Sequence, residues 1–401
     1  MGESKRPIYA YVDESGNTGH NVFDSVQPDF FHCALVTRGD FNISQRNSII
    51  KIADKLGVAA LHGKDLGLGR IEPVSRDILS VLVRSRSNFF ISRVEKKFLV
   101  AMKVFDGLFD SGENPAVPWH VYNVKQLRLV LAFKLAHILD ENTAKAFWKC
   151  LLEPKEDKAR DGLPAVCDGI LAKVNLLPDA RSQEILTQGL EWARKHPESI
   201  QIWVDKKLSK QLHFPNLVAF GNLLTGLTNY SEMWKVPVAR ISHDDQGEFK
   251  KTMTAWHALF TNASPDIIDW AGEKYKLQQV PGSQFEVIED SLSPGIQVAD
   301  VIGWLYHQLH KGKELPRGCQ DLVTYALGHG WEYDFSFSGV GSKVEARHRE
   351  MMAQPFPVEK EMAARKGLNF LEKQRVASVK QYEIDKLPPF MRSQRAELPE
   401  D

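Results

Sequence analysis

The sequence predicts an α/β protein: a mixed sheet flanked by helices, with a helical insertion and a charged C-terminal extension. Three observations carry this. Short runs rich in β-branched and aromatic residues, each bounded by turn formers, cluster in the first hundred residues. A long stretch of helical spacing then interrupts them, and beyond it strand-like and helix-like segments alternate, as they do when helices cover a sheet. The last sixty residues mix charges of both signs with few aromatics.

In chain order, residues 7–13 (PIYAYVD), 30–39 (FFHCALVTRG) and 87–97 (SNFFISRVEKK) read as strands. FNISQRNSIIKIADKLG lies between the second and third and has helical apolar spacing; LHGKDLGLGR after it reads as a glycine-rich loop. From about residue 119 to 197 the pattern is helical, with Pro118 where a helix start tolerates proline. Strand character returns at 199–207 (SIQIWVDKK), 236–245 (VPVARISHDD) and 284–291 (QFEVIEDS). Helices are expected between these runs and over 293–310, where Pro294 sits near the start. The division expected is a core from residues 1–98 and 198–312, an insertion over 99–197, and an extension over 313–401 that is partly helical or ordered by a partner.

Composition narrows the class. The 401 residues are 43% hydrophobic and 25% charged, which suits a globular protein with a sizeable core. Lys plus Arg and Asp plus Glu are 51 each, which excludes the globally basic footprint of a small DNA binder but leaves local basic patches open. Cys33, Cys150, Cys167 and Cys319 form no CxxC pair, so neither a disulfide framework nor a zinc ribbon is expected, and a reducing cytoplasm is. The start of the chain lacks the apolar segment of a signal peptide, and no apolar run reaches the ~18 residues of a membrane span.

Carboxylates carry the candidate chemistry. IYAYVDE ends a strand with Asp13 and Glu14, IQIWVDKK places Asp205 after an equivalent run, and GIQVADVIGWLYHQL puts Asp300 on a helix. Strand ends are where open α/β sheets place ligands. On that helix Val298, Ile302, Leu305 and Leu309 form an apolar stripe, and Asp300 lies on the other side with Ile296, Trp304 and His307. Acids converging from several elements hold Mg²⁺ or Mn²⁺, which needs no Cys or Ser nucleophile. Each residue also has an ordinary reading. Ser15, Gly16, Asn17 and Gly19 are turn formers around Asp13, Asp205 could pair with Lys206 or Lys207, and Asp300 could complement a helix dipole. The metal reading rests on the combination and its order.

That ordered set (YVDESG, LHGKDL, VDKK, HDDQGEF and IEDS…IQVAD) resembles the bacterial domain-of-unknown-function 3800 family, assigned to the ribonuclease H-like superfamily, over roughly residues 7–310. The resemblance implies three antiparallel strands with the fourth beside the first. It also implies an acid on the first strand, one on the fourth and one on the last helix, which match Asp13, Asp205 and Asp300. Glu14 is expected on the opposite face of its strand, because side chains alternate. The helical segment near 99–197 is longer than that superfamily's minimal domain contains.

Further residues join the candidate site: Asp290 as a reserve metal ligand, Gln297 to position Asp300 or a phosphate, and Asp244 as a site member or a helix cap. His62 is placed at the site edge, and Lys64 on a phosphate or on a mere connection. Lys206 and Lys207, with Lys96, Lys97 and Lys210, suit nucleic-acid phosphates or are simply solvated. Zinc is not expected, since the histidines form neither HExxH nor a Cys/His cluster. The function expected is a Mg²⁺- or Mn²⁺-dependent nuclease acting on DNA or RNA, with anti-phage defence as the context the family suggests. The rivals are a non-catalytic scaffold whose extension binds a protein partner or a second copy, and a phosphoryl-transfer ATPase or kinase. The latter would need a second similar core and a glycine-rich adenosine loop, and neither is evident.

Overall fold

The computed structural model describes residues 6–16, 21–202, 210–245, 247–355 and 357–396, the last four of these without their side chains. The chain divides into two compact units: residues 1–96, 211–268 and 276–335 form the first, and 97–210, 269–275 and 336–401 the second. Residues 313–335, read from sequence as the start of the extension, belong to the first unit.

Eight strands are present among the described residues: β1 Ile8–Ser15, β2 Asp29–Arg38, β3 Asn88–Glu95, β4 Val238–Asp244, β5 Ile267–Trp270, β6 Glu273–Lys276, β7 Gln284–Ile288 and β8 Gly330–Phe335. Six of them make the central sheet in the order β7-β4-β1-β2-β3-β8, and β5 pairs with β6. β1, β2 and β3 are antiparallel, while β4 lies parallel beside β1, β7 parallel beside β4, and β8 parallel beside β3. The mixed sheet with flanking helices agrees with the expectation from sequence. One strand does not: residues 200–202 are not extended into a strand, residues 203–209 lie outside the described residues, and the strand beside β1 is 238–244. β8 went unread because its segment, GWEYDF, carries acids among its aromatics.

Strand alternation separates two faces. On one, Tyr11, Phe31, Cys33, Leu35, Phe89 and Ile91 pack into a core with Ile296, Val298, Val301, Ile302 and Leu305 of helix Pro294–His310. That helix is buried nearly all round, not along one stripe; Leu309, placed on the stripe from sequence, is 41% exposed. Two glycines allow the close approach. A Cβ at Gly295 would stand 2.3 Å from the Tyr11 ring, and one at Gly303 would stand 2.9 Å from the Cys33 Cβ. The other face is covered by helix Pro215–Trp234, whose Asn222 donates to Ser92 and whose Tyr230 hydroxyl donates to the Phe89 carbonyl. A Cβ at Gly226 would overlap the Phe90 ring there, so this helix too lies tight on its strands.

The second unit is helical. Helices Lys96–Phe109, Lys125–Ile138, Glu141–Leu152, Glu156–Leu171 and Ala180–Lys195 precede three C-terminal ones, Phe337–Met352, Val358–Asp385 and Pro389–Ala396. The extension is not wholly a charged surface. Tyr382 is buried with Ala116 and Trp192, its hydroxyl donates to Glu198, and Arg375 ion-pairs with Glu372 of its own helix. No helix among the described residues is long and apolar enough to cross a membrane.

Candidate functional site

The odd-numbered residues at the end of β1 meet successive points of helix Pro294–His310. Tyr11 packs on Gly295, the Asp13 and Asp300 carboxyls interact electrostatically, and Ser15 Oγ lies 2.7 Å from His307 Nδ1. The pairing of Asp13 with Asp300 thus follows from strand alternation and from the glycines that let the helix approach.

Asp300 is 8% exposed. Its Oδ2 accepts a 2.8 Å hydrogen bond from Gly63 N and lies 3.2 Å from His62 Nδ1. Gly63 begins helix Gly63–Ile71, so the stretch read as a glycine-rich loop is a helix, kinked at Gly67, with its N-terminus aimed at a carboxylate. Anions are favoured there because the first-turn N–H groups have no partners within the helix. Gly63 is also the residue that fits: a Cβ would come 2.7 Å from the Trp304 Cβ. Gln297 joins the same loop to the strand ends, accepting from Leu61 N at 3.0 Å and donating to the Asp290 carbonyl at 3.1 Å.

Asp244 ends β4 on the same face as Asp13, and Asp290 follows β7 in a short 3₁₀ turn. Burial lifts the Asp244 carboxyl above its usual range, while the backbone N–H groups of Asp245 and Asp290 pull against this and the Asp290 charge adds to it. Asp13 is pushed well above the carboxylate range by burial, then by the charges of Asp300, Asp244 and Glu14. Asp300 is raised by burial, opposed by His62 and the Gly63 amide. Asp13, Asp244 and Asp300 therefore share one region at the ends of β1 and β4, with the Asp290 charge nearby, and burial and like charges disfavour full ionisation of those three. That is the condition a divalent cation relieves, and an all-oxygen donor set suits Mg²⁺ or Mn²⁺. Cys33, paired with Asp13 across β1 and β2, is buried as a thiol whose ionisation is strongly suppressed by burial and both acids.

The remaining sites read from sequence divide. Asp205, Lys206 and Lys207 lie outside the described residues. Lys64 is exposed in the first turn of helix Gly63–Ile71. Lys96 is not available to phosphate, since it is buried and its Nζ donates to the Gln27 carbonyl; Lys210 Nζ likewise donates to the carbonyls of Leu152 and Glu153. Glu14 points to the opposite face, as alternation requires, where Asn216 Nδ2 donates to its Oε2 at 2.9 Å. Burial raises Glu14 to about 7, with His243 and Asn216 opposing. Sequence reasoning missed what surrounds it. His32 is opposite Glu14 on β2 and His243 sits on β4, and only the strand order brings residues so distant in the chain together.

No protein-family model, no curated protein and no solved structure matches the chain. The reading of its function therefore rests on the site.

Proposed function

We propose that the chain is a divalent-metal-dependent nuclease with a ribonuclease H-like sheet. The observation that carries this reading is the buried electrostatic coupling of the Asp13 and Asp300 carboxyls at the end of β1 and on helix Pro294–His310, with Asp244 and Asp290 in electrostatic reach. The strand arrangement supports it in part: β1 to β3 are antiparallel and a parallel strand lies beside β1, as the resemblance implies, although that strand is 238–244 and not the expected 199–207. Asp244, at the end of β4, takes the position of the fourth-strand acid; Asp205 stays a proposed ligand among the residues not described. When bound, Mg²⁺ or Mn²⁺ supplies an activated water and stabilises the leaving oxygen of a phosphodiester. The chain's own part is to bring acids from three strand ends and one helix within electrostatic reach of one another. The Gly63 amide and Gln297 orient Asp300 and Asp290, His62 flanks the acid pair, and Lys64 offers a cation to a nearby phosphate.

The test is cleavage of single-stranded and duplex DNA and RNA by the full chain with Mn²⁺. Cleavage that disappears in Asp13→Asn and Asp300→Asn supports the reading; cleavage at unchanged rates in both variants overturns it. A scaffold role is the second reading, and one observation favours it. Helix Val358–Asp385 leaves Met362, Leu368, Phe370 and Ile384 exposed, an apolar set that suits a protein partner or a second copy.

A further inference from the structure

The face of the sheet away from the acid site holds a second polar cluster in apolar surroundings. Glu14 Oε2 lies 3.5 Å from His32 Nε2 and 4.0 Å from His243 Nε2, and one ligand atom from each residue falls within 4.8 Å of the other two. Both imidazoles are fully buried and the Glu14 side chain is 4% exposed. His243 Nδ1 is 2.8 Å from the Asp244 carbonyl oxygen. An acceptor there assigns the ring proton to Nδ1 and leaves a lone pair on Nε2, facing Glu14. Yet His243 Nε2, both ring nitrogens of His32 and Asn216 Oδ1 have no hydrogen-bond partner. Buried polar atoms are otherwise almost always partnered, and two orphaned Nε2 atoms beside one carboxylate call for a common partner. A proton on Glu14 could serve one imidazole but not two.

We propose that Glu14 Oε2, His32 Nε2 and His243 Nε2 bind a divalent transition-metal ion, Zn²⁺ foremost, at a site separate from the acid cluster. Two imidazoles and a carboxylate are a donor set for Zn²⁺ or Fe²⁺, not for the Mg²⁺ or Mn²⁺ that all-oxygen sites take. Donors at the usual ~2.0–2.2 Å from a tetrahedral ion stand roughly 3.3–3.5 Å apart, so the observed 3.5 and 4.0 Å spacings from Glu14 nearly fit, while the two histidines, within 4.8 Å of each other, draw together on binding. The Asn216 amide that donates to Glu14 and the Asp244 carbonyl at His243 Nδ1 are the outer partners that orient such ligands. The ion ties β1, β2 and β4 together immediately behind Asp13 and Asp244, because Glu14 follows the one and His243 precedes the other.

The experiment is elemental analysis of the purified full chain, followed by chelation and Zn²⁺ titration with the melting temperature as readout. A retained equivalent of zinc, a lower melting temperature after chelation and recovery in micromolar Zn²⁺ are expected. Glu14→Gln, His32→Gln and His243→Gln lose the metal, while Asp13→Asn and Asp300→Asn keep it. Should the three variants fold poorly, Co²⁺ added to the chelated wild-type chain gives the intense visible absorption of a four-coordinate site, and Zn²⁺ displaces it. A chain that neither retains nor rebinds a transition metal overturns the proposal, as does zinc that survives the histidine changes. Zinc lost only in the Asp13 and Asp300 variants would assign it to the acid cluster, overturning this site while leaving the acid site standing.

Discussion

Asp13 and Glu14 are consecutive in β1, yet their carboxyls serve opposite faces of the sheet: Asp13 meets Asp300 of helix Pro294–His310, and Glu14 meets Asn216 of helix Pro215–Trp234. The pleat makes this separation, so a substitution at one position tests one face.

Replacing Asp13 or Asp300 by Asn keeps the shape and removes one of two carboxyls whose joint ionisation is disfavoured. At neutral pH the metal-free variants are expected to melt at or above the wild-type temperature, while cleavage falls by orders of magnitude. An ordinary buried Asp with satisfied hydrogen bonds would instead lose roughly 1–3 kcal/mol. The double variant should be little worse than the worse single one, because the acids act as a unit. Thermal melts beside single-turnover cleavage decide this, and destabilised variants would argue for a structural pair.

Millimolar Mn²⁺ should raise the melting temperature of the wild-type chain by mass action, since the ion binds the folded state alone. The shift should be absent in Asp300→Asn and preserved in Glu14→Gln. An unchanged wild-type melting curve would count against the acid site.

The pH dependence has a definite sign at Glu14. Its pKa rises from 4.5 to about 7 on folding, so the folded chain holds a proton that the unfolded chain releases. Stability from this group is intact below 4.5 and is lost as pH climbs through 7, an effect of roughly 3 kcal/mol for a side chain so buried. His32 and His243 act oppositely, because burial lowers them from 6.5 to about 3 and about 4. They destabilise the fold as pH falls below 6.5. In chelator, Glu14→Gln should therefore gain on the wild type as pH rises, and His32→Gln should gain as pH falls. Difference curves of equal slope would refute the assignment.

Gly63→Ala should cost about 1–3 kcal/mol through overpacking against Trp304 and should weaken cleavage by moving the amide off Asp300. Gly69→Ala, with nothing within 4 Å of its added Cβ, is the control and should retain activity. Urea melts and cleavage rates on the pair check both parts.

Truncation before residue 358 removes Tyr382 from its pocket with Ala116 and Trp192, so the second unit should lose stability; Tyr382→Ala alone should cost roughly 3 kcal/mol. Phe370→Ser, on the exposed part of the same helix, should leave the melt unchanged. Sedimentation of that variant would show whether the apolar surface joins copies.

Most strands and the helix bearing Asp300 were legible because local pattern determines them. β-Branched and aromatic runs with turn formers marked β1, β2, β3, β4 and β7 to within a few residues, and Pro294 marked the helix start. The alternation of Asp13 and Glu14 was likewise legible, being a property of any strand. The Gly63 helix was not, because three glycines in nine residues oppose helix locally and a carboxylate from a distant helix favours its N-terminus. The choice of 238–244 as the strand beside β1, which makes Asp244 the neighbour of Asp13, depended on long-range pairing that no local run encodes. For the same reason, sequence by itself determined that carboxylates end the strands, while only the tertiary structure decided which acids come within electrostatic reach of one another and that two scattered histidines close around Glu14. Side-chain period is a local property of the backbone, whereas strand order and helix docking are set by burial summed over the whole sheet.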